Sequence, residues 1–239
     1  MMSKSIELSS PDGVQFPVYV GQLAAQGGGV PSAAVVVLQE IFGVNEHIRA
    51  VTDSYAVQGY LALAPALFHR ATHAVQLGYT ADDVSTGIKL KAQIEGLCAP
   101  GVLQDIQATI DYAAALCGGK VAVLGYCWGG LLSWRAAAVL KGLSAVVPYY
   151  GGGMTTTLEA SRQPQCPVLA HFGEQDKGIP IDTVEAFRML HKLGGVSVEV
   201  QTYPANHGFN CDQRGSYDAA SAALARERTL AFLAQHLQS

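Results

Sequence analysis

The chemistry of this chain is concentrated in Gly125-Tyr126-Cys127-Trp128-Gly129-Gly130, a cysteine set in a glycine-rich turn. The apolar run Val121-Ala122-Val123-Leu124 leads into it, and a helical pattern opens at Leu131-Leu132-Ser133-Trp134. Strand, tight turn and helix with no polar linker make a nucleophile elbow, here with cysteine where serine is commoner. Gly125 and Gly129 are expected where strand and helix come too close for a side chain. Cys127 is expected at a strained backbone position, its sulfur projecting above the sheet. The helix after it offers free N–H groups and a positive dipole end, which lower a thiol pKa and bind an oxyanion. A buried structural cysteine in a glycine-rich turn is the plainer alternative.

Three more loops that follow apolar strands carry pointed side chains. Asp176 lies in Gly173-Glu174-Gln175-Asp176-Lys177-Gly178, His207 in Tyr203-Pro204-Ala205-Asn206-His207-Gly208, and Glu40 directly after Val35-Val36-Val37-Leu38-Gln39. Nucleophile, acid and histidine in that chain order match the triads of α/β-hydrolases. A free thiol has a pKa of about 8.5 and needs a base; His207 can take its proton and return it to a leaving alkoxide. Asp176 would hold the imidazole tautomer; Asp182 competes for that post, and a turn or cap role is its alternative. The backbone N–H groups of Trp128 and Ile41 are the expected oxyanion hole. Phe42, Trp128, Tyr150 and Phe209 are the expected apolar walls of the pocket, with Phe42, Tyr150 and Phe209 touching substrate. Among the other histidines, His171 lies inside an apolar strand and is expected in the core, while His69 and His73 fall in a polar, solvated loop.

The elements that must position these groups alternate. Residues 6–8 and 14–20 flank a turn and read as an antiparallel hairpin at a sheet edge, where Pro17 is tolerated. A glycine-rich loop over 26–31 follows. The apolar run without alternation at 33–38 reads as a strand buried on both faces, and 60–65, 121–124, 144–149, 167–172 and 196–203 read as further strands. Helical patterns fall at 47–58, 82–97, 102–116, 131 onward, 181–193 and 217–236. Strands alternating with helices imply right-handed crossovers. The expected fold is α/β: a mainly parallel sheet of about eight strands, helices on both faces, and a single domain over 1–239.

Composition bounds the rest. Hydrophobic residues make up 49% of the 239 residues, which supports a sizeable core. A net charge of −4 and only 14% charged residues argue against a nucleic-acid partner. No apolar run approaches the roughly 20 residues of a membrane span, and the N-terminus lacks the apolar core of a signal peptide. Five scattered cysteines with no CxxC spacing argue against a disulfide framework or zinc cluster and for a reducing, cytoplasmic setting.

At Gln39-Glu40-Ile41-Phe42-Gly43, Ala62-Leu63-Ala64-Pro65-Ala66-Leu67-Phe68, Gly125-Tyr126-Cys127-Trp128-Gly129-Gly130, Tyr149-Tyr150-Gly151, His207-Gly208-Phe209 and the tail 222–230, the sequence resembles the dienelactone hydrolase family. The resemblance spans nearly the whole chain. It implies a Cys127–His207–Asp176 triad and a regulatory Glu40 that partners the thiol at rest. It also implies hydrolysis of an enol lactone or activated ester through a thioacyl enzyme, with no metal or organic cofactor. The founding enzymes hold the substrate carboxylate with two arginines; here Cys211 stands where the second would be, and Arg214 and Arg70 are the other candidates. The expectation is a cytoplasmic hydrolase, monomer or homodimer, acting on small carboxylic esters or lactones, with no nucleic acid or membrane partner. Activated phosphoesters such as organophosphate triesters are the alternative substrate, and a redox-sensing or binding protein is the alternative of another class.

Overall fold

The computed structural model describes residues 4–22, 31–192 and 194–237; most of the expected glycine-rich loop, 26–30, lies outside them. The eight strands form one mainly parallel sheet. The chain divides into two compact units, Met1–Val121 and Ala122–Ser239.

Unit 1 starts with the hairpin of β1 (Lys4–Ser9) and β2 (Gln15–Val20), paired antiparallel with Leu8 opposite Phe16. Then come β3 (Ala34–Leu38), α1 (Glu46–Val57), β4 (Leu61–Pro65), α2 (Ala81–Glu95) and α3 (Leu103–Cys117). The spatial order here is β1-β2-β4-β3. The hairpin sits at the sheet edge as expected, but Pro17 is not on the outermost strand, since β2 also pairs antiparallel with β4. That ladder begins only at Val18, opposite Pro65, so the missing N–H of Pro17 breaks no bond in it. All five residues of β3 are buried, which is why its sequence shows no alternation. Helix ends carry their own signals: Asn45 caps α1 by accepting from the Ile48 N–H, and Thr80 with Asp83 forms a capping box on α2. Between β4 and α2, residues 67–70 form a 3-10 turn. From it Arg70 reaches Asp105 on α3 and Asp12 at the hairpin tip, each at 2.6–2.7 Å.

Unit 2 contains β5 (Val121–Tyr126, whose first residue closes unit 1), α4 (Trp128–Val139), β6 (Ala145–Tyr149), α5 (Thr157–Ala160), β7 (Val168–Gly173), α6 (Ile181–His191), β8 (Val198–Tyr203) and α7 (Ala219–Leu237). Strands β5, β6, β7 and β8 lie side by side and parallel, with Gly125 opposite Pro148, Tyr149 opposite His171 and Gly173 opposite Tyr203. Every residue of β5, β6 and β7 is buried. These registers bring the carboxyl ends of β5, β7 and β8, with the loops after them, to one end of the unit.

Candidate active site

The elbow is the tightest backbone passage of unit 2. Cys127 sits between β5 and α4 with φ 54° and ψ −114°, a conformation L residues rarely adopt. Its N–H donates to the Tyr149 carbonyl at 3.0 Å, and its carbonyl accepts from the Leu131 N–H at 3.2 Å. A Cβ on Gly125 would stand 1.9 Å from the Gly129 carbonyl oxygen, so only glycine fits there. The second close approach falls at Gly130, where a Cβ would meet the Tyr149 carbonyl oxygen at 2.6 Å. Helix α4 starts at Trp128, so Cys127 stands at the positive end of its dipole.

The loops after β7 and β8 are laced together. The Gln175 N–H donates to the Ala205 carbonyl and the Glu174 N–H to the Tyr203 carbonyl. A Cβ on Gly173 would come within 2.4 Å of the Ala205 carbonyl oxygen, so glycine lets the two loops touch. Across this seam His207 Nδ1–H donates to Asp176 Oδ2 at 2.6 Å. The other carboxylate oxygen of Asp176 accepts from the Gly178 N–H at 2.8 Å. Burial works to raise the Asp176 pKa, but His207 and the amides of Gly178 and Ile179 outweigh it and hold the carboxyl below its usual value. With Nδ1 committed, Nε2 is the nitrogen of His207 left for Cys127, and the two side chains are hydrogen-bonded. Burial opposes charge on His207, yet the bonds to Asp176 and Cys127 and their negative charge push its pKa up to about 10. Asp182, the competing acid, is exposed on α6, where its carboxylate caps the Thr183 N–H.

Two of the expected wall residues flank the histidine. The Tyr150 ring lies edge-on to His207 at 5.1 Å and to Phe209 at 5.3 Å, and both aromatics are fully buried. Tyr150 itself adopts φ 37°, held by its N–H donating to the His171 carbonyl at 2.7 Å. Trp128 is also fully covered, at 1% exposure.

In unit 1, Glu40 lies two residues past β3 and is completely buried, accepting from the Tyr79 hydroxyl at 3.4 Å. Phe42 packs edge-on against the same Tyr79 ring at 4.6 Å. The Ile41 carbonyl is pressed by α2, where a Cβ on Gly87 would come within 2.2 Å of it. Tyr79 is the residue sequence reasoning missed: it stands in a polar stretch, and the only hint was its place next to the Thr80 cap. Of the arginines weighed as carboxylate clamps, Arg70 is spent on Asp12 and Asp105. Arg214 lies against the backbone of Gly208, beside His207: a Cβ on Gly208 would stand 2.6 Å from Arg214 Nη1. His171 is buried, as its strand position predicts. His69 and His73, expected in a solvated loop, touch one another in an exposed contact.

The sequence profile of the dienelactone hydrolase family matches residues 17–237. The chain belongs to the dienelactone hydrolase family. A carboxymethylenebutenolidase of Pseudomonas putida is 34% identical over 242 residues, covering 98% of this chain and 97% of the relative. A Synechocystis sp. protein provisionally named carboxymethylenebutenolidase is 36% identical over 219 residues, covering 87% and 84%. Among solved structures, a provisionally named dienelactone hydrolase from Klebsiella pneumoniae superimposes with a TM-score of 0.77 at 32% identity, covering 98% of this chain and all of that one. A dienelactone hydrolase-like promiscuous phosphotriesterase from metagenomic libraries shares the fold, with a TM-score of 0.78 at 24% identity and 99% of each chain covered. The eight-stranded, mainly parallel sheet with its antiparallel N-terminal hairpin is thus the fold of this dienelactone hydrolase family member. Among the described residues, no helix is long and apolar enough to cross a membrane.

Proposed function

We propose that the protein hydrolyses small carboxylic esters or lactones through a thioacyl intermediate on Cys127. The observation that carries this reading is the chain of hydrogen bonds from Asp176 through His207 to Cys127 at a strained elbow. The Cys127 sulfur attacks the acyl carbon, forming a C–S bond while the carbonyl π pair moves onto oxygen. The Trp128 N–H at the start of α4 receives that oxyanion, with the Ile41 N–H as the second donor. Collapse of the intermediate breaks the bond to the leaving oxygen, which takes the proton from His207 Nε2. The imidazole, now neutral, removes a proton from water, and the hydroxide displaces sulfur to release the acid. Asp176 keeps Nδ1 protonated throughout.

Glu40 keeps the gating part that the family resemblance implies for it. The reading treats 1–239 as one catalytic domain, cytoplasmic, a monomer or homodimer, with no metal or organic cofactor. Arg214, beside His207, is the cation that supports an anionic acyl group. Phosphoryl centres of activated triesters are the second class the same thiol and amides can serve, and one neighbour in fold is named for that activity.

Stopped-flow hydrolysis of a p-nitrophenyl ester with intact-mass trapping tests the reading. A burst with an acyl adduct on Cys127, absent in Cys127→Ser, supports it; turnover without an adduct, or no turnover with any ester, lactone or triester, overturns it. Arg214→Ala is expected to raise KM for anionic esters several-fold while leaving KM for uncharged esters unchanged.

A further inference from the structure

The loop after β4 holds a feature the hydrolytic site does not use. His69, in the 3-10 turn, and His73 approach with their Nδ1 atoms 3.2 Å apart and their rings edge-on at 4.3 Å. We propose that this pair is a chelating site for a late first-row divalent metal ion, taken up from solution with water completing its coordination.

The spacing is the first argument. Two imidazole nitrogens bound at about 2.0–2.1 Å to one tetrahedral ion lie about 3.3 Å apart, and the observed separation is 3.2 Å. A bound ion therefore needs only ring rotation, not movement of the chain.

Rigidity is the second. The turn carrying His69 is anchored by buried Leu67 and Phe68, and the N–H groups of Ala71 and Thr72 both donate to the Phe68 carbonyl at 2.9 Å. Arg70, next to His69, is fixed by Asp12 and Asp105. Just past His73, Ala74 takes φ 55°, reversing the chain. A pair held in place loses little freedom on binding.

Charge is the third. Glu7 and Asp105 act on His69 as negative neighbours, and Arg70, the positive one, is itself paired with Asp105 and Asp12. Binding to the neutral form of the pair releases no proton: the ring donating from Nδ1 shifts its proton to Nε2, and both Nδ1 lone pairs turn to the ion. Imidazole nitrogens with water suit Zn2+, Cu2+ and Ni2+ rather than Mg2+ or Ca2+. The inference is independent of the proposed hydrolysis.

Titration of the full chain with Ni2+ alone tests it. In wild type, the imidazole C–H resonances of His69 and His73 are expected to broaden together at substoichiometric Ni2+. The metal-induced rise in Tm, and at least about ten-fold in affinity, are expected to be lost in His69→Gln and in His73→Gln. Resonances of the pair untouched by stoichiometric Ni2+, or variants that bind as tightly as wild type, would mean a hydrogen-bonded pair and nothing more. The resonance readout uses the wild-type chain, so the test stands even where a variant folds poorly.

Discussion

A proton held on His207 places a positive ring beside Cys127. With the imidazole pKa pushed up to about 10, the ring is an imidazolium at neutral pH. Between pH 5 and 6, iodoacetamide is expected to modify Cys127 at least about ten-fold faster in wild type than in His207→Ala, which lacks the positive ring beside the attacking sulfur. Equal rates, followed by intact mass, would show that the ring does not activate the sulfur. Asp176→Asn keeps the shape but favours the wrong tautomer, and a loss in kcat on the order of 10³–10⁴ is expected from steady-state rates at an unchanged Tm. Glu40→Gln is expected to alter the alkylation rate or the pH–rate profile; if neither moves, Glu40 has no part in gating. At this scale the sequence was informative where chemistry and position coincided. Cys127, Asp176 and His207 each follow a strand, and a reader of strand ends finds them. Tyr79 was illegible because its partners, Glu40 and Asn45, lie more than thirty positions away and no local pattern points to them.

Elements here are held to fractions of an ångström by missing side chains. Gly125→Ala would drive a methyl into the Gly129 carbonyl, so β5 and α4 must part. Thermal and urea melts are expected to show a loss above about 2–3 kcal/mol, of the kind overpacking produces. Gly173→Ala acts differently, since it wedges apart the loops bearing Asp176 and His207. Its expected signature is a fall in kcat of at least ten-fold, exceeding what its Tm change explains; a variant with wild-type kcat would show that the seam is not what aligns the pair. The strand–turn–helix of the elbow was legible from seven or so residues because strand burial, glycine and helix follow one another without interruption. A further close approach at Gly130 was not legible, because its obstacle, the Tyr149 carbonyl, comes from β6 and has no trace in local sequence. Helix α5, one turn long, is too short for any periodicity to register.

On the scale of the molecule, unit 2 is pinned by a buried polar chain. His171 Nδ1 meets the Tyr203 hydroxyl at 2.8 Å, its Nε2 meets Thr229 at 3.0 Å, and Thr229 meets the Tyr149 hydroxyl at 2.6 Å. The Arg228 guanidinium lies over the Tyr203 ring at 5.4 Å. Burial, aided by Arg228, lowers the His171 pKa to about 3. A histidine depressed in the folded state contributes fully above its unfolded pKa of about 6.5, and the contribution drains away as pH falls from there toward 3. Urea unfolding is expected to lose up to about 1.4 kcal/mol per pH unit below about 6, with a flatter dependence in His171→Gln; parallel slopes would exonerate His171. The sheet itself was legible because runs such as Val35-Val36-Val37 have no polar face to hide. The polar chain was not, since its members sit on β6, β7, β8 and α7. The hairpin carries a different kind of consequence, one of timing. β2 pairs with β4, yet β3 and α1 are made between them. At about 5–20 residues per second, a ribosome leaves the inner edge of β2 unpaired for several seconds. Until Leu61–Pro65 emerges, the newborn hairpin is an open template for other strands, and its protection in that interval falls to the nascent chain's surroundings rather than to the fold.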